Sequence, residues 1–319
     1  MLQKVKTYWF LVGLGLIFGV TIFDPTDMIA AAGRGMRSIH GPDMVIFTVF
    51  LLSGYLLNPD QIRSGFTDMT ATGLALFLIF IVAPLYAAIL SFLPIPTAML
   101  IGLFLVAVMP TTMSTGVVMT GASGGNPAHA LFVSVLSNSM AVLTIAVSLP
   151  ILLRFAGETA AVVLDSSAMI IKIAWSVLIP LAVGIAVKAF TRKRGAAFSR
   201  KVSTLNQLLI LSIVWMGVSQ AKPVLLGAWI SAGQIALLVL FFHLMMLLTA
   251  FAGTTLLSLG RGRMESVIFM GSQKTLPLSV ILQVTLFPEY GQALIVCVLH
   301  HLLSLLTDGY LVGRMGRPS

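Results

Sequence analysis

Val106-Ala-Val-Met-Pro-Thr-Thr-Met-Ser-Thr115 decides how this chain folds, because it sets a proline and a cluster of hydroxyls inside an apolar run. The run extends from Ala98 to Thr120, close to the roughly 20 residues that a helix needs to cross a bilayer core. Proline removes a backbone donor and clashes with the preceding turn. Nonhelical backbone at bilayer depth survives only where protein or a water-filled cavity satisfies it. A second stretch, Met270-Gly-Ser-Gln-Lys-Thr-Leu-Pro277, interrupts another apolar run in the same way, with an amide and a cation added. Pro110 stands 101 residues after Trp9 and Gln273 stands 103 after Ile170, so the two breaks occupy matching places in the two halves of the chain. Paired interruptions of this kind are the best sequence pointer to a transporter's binding site.

The rest of the composition places those breaks in a membrane. Of 319 residues, 58% are hydrophobic and 9% are charged, against about 25% charged in a soluble chain. Apolar runs without period-two alternation, bounded by Gly, Pro and charge, read as helices. Ten are expected: Trp9 to Phe23, Met44 to Leu57, Thr70 to Leu90, Ala98 to Thr120, Ala128 to Phe155, Ala168 to Ala189, Val202 to Ser219, Ala232 to Leu257, Glu265 to Phe287 and Gly291 to Val312. Lys4 and Lys6 ahead of the first run mimic a signal peptide, but no small-x-small cleavage site follows, so the run is read as the first helix.

The net charge of +9 resembles that of a nucleic-acid binder, yet the basic residues sit in loops between apolar runs. The tendency of Lys and Arg to collect in short cytoplasmic loops explains that placement, and no nucleic acid is expected as a partner. With the N-terminus inside, thirteen of the nineteen basic residues fall in inner segments and four, Arg34, Arg37, Arg154 and Lys222, in outer ones. Lys172 and Lys274 fall within helices. Both termini are thus expected in the cytoplasm, with a bacterial inner membrane as the location. Helices one to five and six to ten have matching rhythms, and five is odd, so the halves enter the membrane in opposite senses. The chain reads as one transporter domain over residues 1–319, with inverted repeats at about 1–160 and 161–319.

Lys274 is the sharpest single candidate, since an ionisable side chain in mid-membrane costs several kcal/mol and marks function by default. Most of the acids fall near the membrane surfaces, and Asp308 alone approaches its depth. Three fates are open to this ammonium: carbonyls hold it, an anionic substrate pairs with it, or it deprotonates during transport. Around it the break supplies Ser272, Gln273 and Thr275, and the fourth-helix break supplies Thr111, Thr112, Ser114 and Thr115. Ser134, Ser137 and Asn138 share one face of the fifth helix and are placed beside that break, or else they join helices. Gly13, Gly15 and Gly19 are read as close-packing positions. His243, His300 and His301 lack the constellation of a metal site, and Cys297 is the single cysteine, which excludes a disulfide framework. No phosphate loop or nucleophile elbow occurs, so neither an enzyme nor a resident cofactor is expected.

Met109-Pro-Thr-Thr-Met-Ser-Thr-Gly-Val-Val-Met-Thr-Gly-Ala-Ser-Gly-Gly-Asn126, followed by Ser272-Gln-Lys-Thr-Leu276 and preceded by Ser-Gly-Tyr-Leu-Leu57, resembles the SBF-like branch of the bile acid:sodium symporter superfamily. The resemblance implies ten helices, a panel and a core, with the fourth and ninth helices crossing near two sodium sites. It adds Asn126 to the candidate binding residues and places a sodium ion at Thr115, Ser134 and Gln273. It also implies departures: Phe269 stands at a family glutamate, Thr115 and Gly116 at a Ser-Asn pair, Ile79 at a glutamine, and Lys274 at an asparagine. The expected function is secondary active transport of a small organic anion, by sodium-coupled symport and alternating access. The alternatives are a proton-coupled or uncoupled transporter of the same fold and a nontransporting regulator. The expected partners are the anion, the coupling ion and the lipid bilayer, with the chain acting as a monomer or homodimer.

Overall fold

The computed structural model describes residues 2–39, 41–56, 68–112, 115–157, 171, 175, 179–191, 196–226 and 229–315, and every regular element among them is helical. In chain order these are α1 (Leu2–Phe23), α2 (Met28–Ser38), α3 (Gly41–Leu56), α4 (Met69–Leu90), α5 (Thr97–Ala107), α6 (Thr115–Ala122) and α7 (Pro127–Leu153). They continue as α8 (Ile179–Phe190), α9 (Ala196–Leu226), α10 (Trp229–Leu256), α11 (Met264–Ser272), α12 (Leu276–Leu286) and α13 (Gly291–Met315). Lys172 and Ser114 lie outside the described residues.

Five helices among the described residues are long and apolar enough to cross a membrane: Met69–Leu90, Phe198–Gln220, Ala232–Leu256, Met264–Leu286 and Gly291–Met315. The number rises to seven if two sharply bent pairs each make one span, and three shorter apolar helices, α3, α5 and α8, stand beside them. This is fewer than the ten expected, and the breaks account for part of the difference. Pro110 divides the fourth apolar run into α5 and α6, neither of which has the length of a bilayer. The element that composition did not reveal is α2. Its Ala, Gly and Arg content is too polar for a span, but Asp24 starts it, accepting the N–H groups of Thr26 and Ile29, each at 2.9 Å. The chain turns 114° between α1 and α2.

The densest packing divides the helices into two groups. α3 packs on α8 and α9, and α9 also carries α1 and α2; the other group joins α13 to α5 and α10, and α11 to α4, α6 and α10. α9 meets α12 and α13 and links the groups. Glycine sets the α3–α8 distance: a Cβ at Gly184 would lie 2.0 Å from the Leu51 carbonyl oxygen, and one at Gly54 would lie 2.1 Å from that of Leu181. Of the three first-helix glycines, Gly13 faces Leu211, whereas Gly15 and Gly19 have nothing within 4 Å among the described residues.

Polar clusters at the two ends join segments that loop parity assigns to the same side. At one end Lys222 donates to the Asp24 carbonyl at 2.8 Å and pairs with Asp27 at 2.9 Å. Arg34 also pairs with Asp27, and hydrogen bonds from Lys222 and Arg34 hold the Asp27 carboxyl below its ordinary pKa. At the other end Arg263 grips Asp68 with two nitrogens, Nη2 donating at 2.7 Å. The Asp68 carboxylate also accepts the Ala71 N–H at 3.1 Å as the cap of α4. The Arg263 hydrogen bond lowers the Asp68 pKa from its ordinary value.

Candidate functional site: the crossing of two broken helices

α5 stops at Ala107 and tightens as it ends, the Val108 N–H reaching Phe104 and the Met109 N–H reaching Val106. Pro110 has no N–H with which to continue the helix, and the chain runs nonhelically to Thr112. α11 stops at Ser272; Gln273 and Thr275 are extended, and Pro277 in the first turn of α12 restarts the helix. The two breaks then pair backbone to backbone, with the Thr275 N–H donating to the Pro110 carbonyl at 3.0 Å. Main-chain groups that a membrane interior would strand are thereby satisfied. The span that contains the second break is 89% buried against 39% for α4, so protein rather than lipid surrounds it.

The Lys274 ammonium fills a cage of three carbonyl oxygens: Ile79 at 2.8 Å, Ala107 at 2.9 Å and Met109 at 2.9 Å. All three of its N–H donors are used. Two of these carbonyls come from the end of α5. The third is released by a local defect in α4, where Leu78–Val82 forms a π turn in which the Ala83 N–H bonds to Leu78. The next donor in that pattern belongs to Pro84, which has no N–H, so the Ile79 carbonyl is left for Lys274. Of the three fates open to this lysine, the structure takes the first. Asp308, the acid nearest in depth, does not serve as its counter-ion but bonds elsewhere. Ile79 contributes its carbonyl, while its side chain packs with Ala75 and Met270; Phe269 is fully buried.

Gln273, 1% exposed, is the second centre. Its Oε1 accepts the hydroxyls of Thr112 at 2.7 Å and Thr115 at 3.2 Å. Its Nε2 donates to Asp308 Oδ2 at 2.8 Å and to the Met119 sulfur at 3.0 Å. Thr112 Oγ1 in turn accepts the Gly116 N–H at 2.9 Å. The approach is close at this glycine: a Cβ would come within 2.7 Å of the Met270 sulfur and 3.1 Å of Gln273 Oε1, so those side chains would have to shift. Asp308 Oδ1 faces His243 Nε2 at 2.9 Å, and both side chains are fully buried.

α7 braces the first break. Ser134 donates to the Thr112 carbonyl at 3.0 Å, and Asn138 donates to Thr111 at 3.1 Å and to Ser134 at 2.9 Å. The structure therefore brings together Thr111, Thr112, Thr115, Ser134, Asn138, Gln273, Lys274 and Thr275. Ser137 and Ser272 instead bond carbonyls of their own helices. Asn126 stands apart as the N-cap of α7, its Oδ1 accepting from Ala128 at 3.0 Å and His129 at 3.2 Å. An Asn ahead of Pro at the start of a helix is the ordinary signature of such a cap. The Thr111 hydroxyl is buried with no hydrogen-bond partner among the described residues. Sequence reasoning weighed His243 only as a metal ligand and Asp308 only as a partner of Lys274, and did not pair them. Their separation by 65 residues hides the pair, and a histidine inside an apolar run is the signal that remained.

Residues 8–317 match the model of the family described as SBF-like CPA transporter. The chain is 28% identical over 320 residues to a probable sodium/metabolite cotransporter, BASS4, chloroplastic, of Oryza sativa subsp. japonica, covering 94% of this chain and 74% of that protein. It is 28% identical over 283 residues to the Arabidopsis thaliana protein of the same name, covering 83% and 63% of the two chains. Sodium/bile acid cotransporter 7-A of Xenopus laevis is 23% identical over 324 residues, covering 98% and 92%.

Proposed function

Since the chain belongs to the SBF-like CPA transporter family, within the bile acid:sodium symporter superfamily, we propose that this multi-pass membrane protein is a sodium-coupled secondary transporter of a small organic anion. The observation that carries the reading is the crossing itself, where two broken helices meet through Thr275 and Pro110 and close a carbonyl cage around Lys274. Carbonyl rings that replace a hydration shell are how proteins hold alkali cations. Lys274 stands where such a cation would sit and contributes one fixed positive charge. The N-termini of α6 and α12 open at the same crossing, and helix N-termini favour anions. These features, with the Thr111 hydroxyl that has no partner among the described residues, support an anionic solute.

A movable sodium ion fits the Gln273 side of the crossing, where Oε1 and the oxygens of Thr112 and Thr115 converge, with Ser134 bonded to the Thr112 carbonyl. The names of the rice and frog relatives, sodium cotransporters both, agree with that choice of ion. In this reading the chain is one domain of ten spans in two inverted repeats, at about 1–160 and 161–319. α1, α2, α3, α8 and α9 make the panel against which the remaining helices rock. The crossing is closed to solvent, with Lys274 2% exposed, so loading requires the two groups to part. Proton coupling is the second reading, favoured by the buried Asp308 carboxylate attached to Gln273. The membrane is a bacterial inner membrane, with both termini in the cytoplasm.

Thermal unfolding of the purified chain against organic anions, with sodium or choline as the cation, tests this directly. The proposal expects at least one anion to stabilise the fold and sodium to strengthen its effect. Stabilisation by an anion with no flux in proteoliposomes would favour the regulator; no response to any anion or to sodium would remove the reading.

A further inference from the structure

α10 and α13 pack on one another, and their C-terminal ends lie together. The loop that follows α10 carries Arg261 back to the end of α13, where its Nη2 donates to the Met315 carbonyl at 3.0 Å. Between the two helices lies an open apolar groove of about 460 Å³. Leu247 is buried and Phe251 and Leu311 are half-buried in it, while Leu244, Leu248 and Leu306 are exposed along it. From Leu244 to Phe251 the groove follows about 10 Å of helix. Tyr310 lies five residues before Met315, about 7.5 Å along the axis, so the groove belongs to one half of a bilayer core about 30 Å thick. Exposed leucines alone call for no partner there, because lipid tails are as apolar as leucine. What sets this groove apart is its polar end.

Thr307 keeps its hydroxyl turned to its own helix, donating to the Leu303 and Ser304 carbonyls at 2.9 and 3.0 Å. The groove therefore stays apolar until Tyr310. There the phenol oxygen accepts from Arg314 Nε at 3.0 Å and from Nη2 at 2.8 Å. Two of the five guanidinium N–H groups are thus used, and the rest donate to nothing among the described residues, as does the phenol O–H itself. Gly313 keeps the same side open, since a Cβ there would meet nothing within 4 Å among the described residues. Of the acids at this end, Glu265 pairs with Arg261 and Asp68 with Arg263. Arg314 faces no acid among the described residues, so this end presents uncompensated positive charge at the mouth of an apolar channel.

Groove, phenol and guanidinium follow one another in the order of the parts of a phospholipid: acyl chain, glycerol ester, phosphate. Tyrosine settles at headgroup level, arginine carries its charge to the interface on an apolar stem, and its fork matches phosphate oxygens. A zwitterionic headgroup would bring a second cation toward Arg314 and Arg261; an anionic one brings none. We propose that the groove between α10 and α13 binds one anionic phospholipid, with an acyl chain along Leu247 and Phe251 and its phosphate on Arg314 and Tyr310. The lipid comes from the leaflet at the C-terminal end of α13. This depends on the chain lying in a bilayer and not on which solute it moves.

Native mass spectrometry of the full chain in detergent, with phosphatidylglycerol or phosphatidylcholine of identical acyl chains added, tests it. The expected result is a single saturable phosphatidylglycerol adduct, tighter than phosphatidylcholine by about fivefold, the effect of one basic residue on an anionic lipid. Arg314→Gln should remove the preference, Arg314→Lys should keep most of it, and Arg154→Gln, at the end of α7, should leave it unchanged. Phosphatidylglycerol with a photoreactive acyl chain should label peptides of α10 and α13. Equal binding of the two lipids, a preference that survives in Arg314→Gln or falls equally in Arg154→Gln, or labelling confined to other helices would each overturn the proposal. So would glycerol phosphate displacing the lipid at equal concentration, which would mean a free-anion site, or a dimer formed through this face that excludes lipid. A chain that moves no solute would give the same lipid result, so this test and that of the transport reading fail separately.

Discussion

Replacing Lys274 by Ala should turn a chain that builds its own cation into one that requires sodium. Removal of the ammonium strands the carbonyls of Ile79, Ala107 and Met109 in a site 2% exposed to solvent. At about 1–3 kcal/mol for each buried unsatisfied acceptor, the gross loss is about 3–9 kcal/mol. Release from the desolvation of a buried charge offsets several kcal/mol of that, for a net loss of about 3 kcal/mol by the same two magnitudes. The space left is an oxygen cage, and sodium at about 100 times its dissociation constant should restore about 2.7 kcal/mol. Lys274→Met fills the space with apolar atoms and should show the loss without the rescue. The assay is thermal unfolding in detergent at matched ionic strength, sodium chloride against choline chloride. A Lys274→Ala protein as stable as the parent, or one equally destabilised in both salts, would refute the reasoning.

Three further outcomes follow from the same geometry. Thr112→Val removes a donor to Gln273 and strands the Gly116 N–H, so about 1–3 kcal/mol of stability should be lost, together with sodium-dependent stabilisation in the same unfolding assay. Asn126→Ala loses only the cap of α7, about 1 kcal/mol by denaturation, and flux per folded molecule should be unchanged. Asp68→Asn keeps an acceptor for the α4 cap but breaks the Arg263 pair. Because Asp68 titrates below its ordinary value in the folded chain, its stabilisation is complete above that ordinary value and fades as pH falls through the folded one. The parent should therefore exceed the variant by up to about 1 kcal/mol at neutral pH, given the half-exposed arginine, and the gap should close in acid unfolding curves.

Pro110 and Lys274 were legible from the chain because each breaks a local rule that a membrane enforces strictly. A proline and a cation inside apolar runs require interior partners, and the structure supplies them at one place. What the lysine holds was not legible, since the Ile79 carbonyl is freed by a π turn and by Pro84, 195 residues from Lys274 in pairing. Asp308 and His243 looked like isolated polar residues because only the packing of α10 on α13 joins them. The α2 helix escaped because its start depends on the Asp24 side chain rather than on apolar periodicity. Asn126 was drawn into the site by its place in a motif, whereas the adjacent Pro127 marks it as a cap.

Uptake of organic anions into proteoliposomes of the purified chain, driven by an imposed inward sodium gradient, tests the central claim most directly. Accumulation above the equilibrium level, abolished or no longer sodium-driven in Lys274→Ala, is the predicted result. A folded parent that accumulates no anion under a sodium or a proton gradient, or a Lys274→Ala protein that accumulates it at the parent's rate, would contradict it.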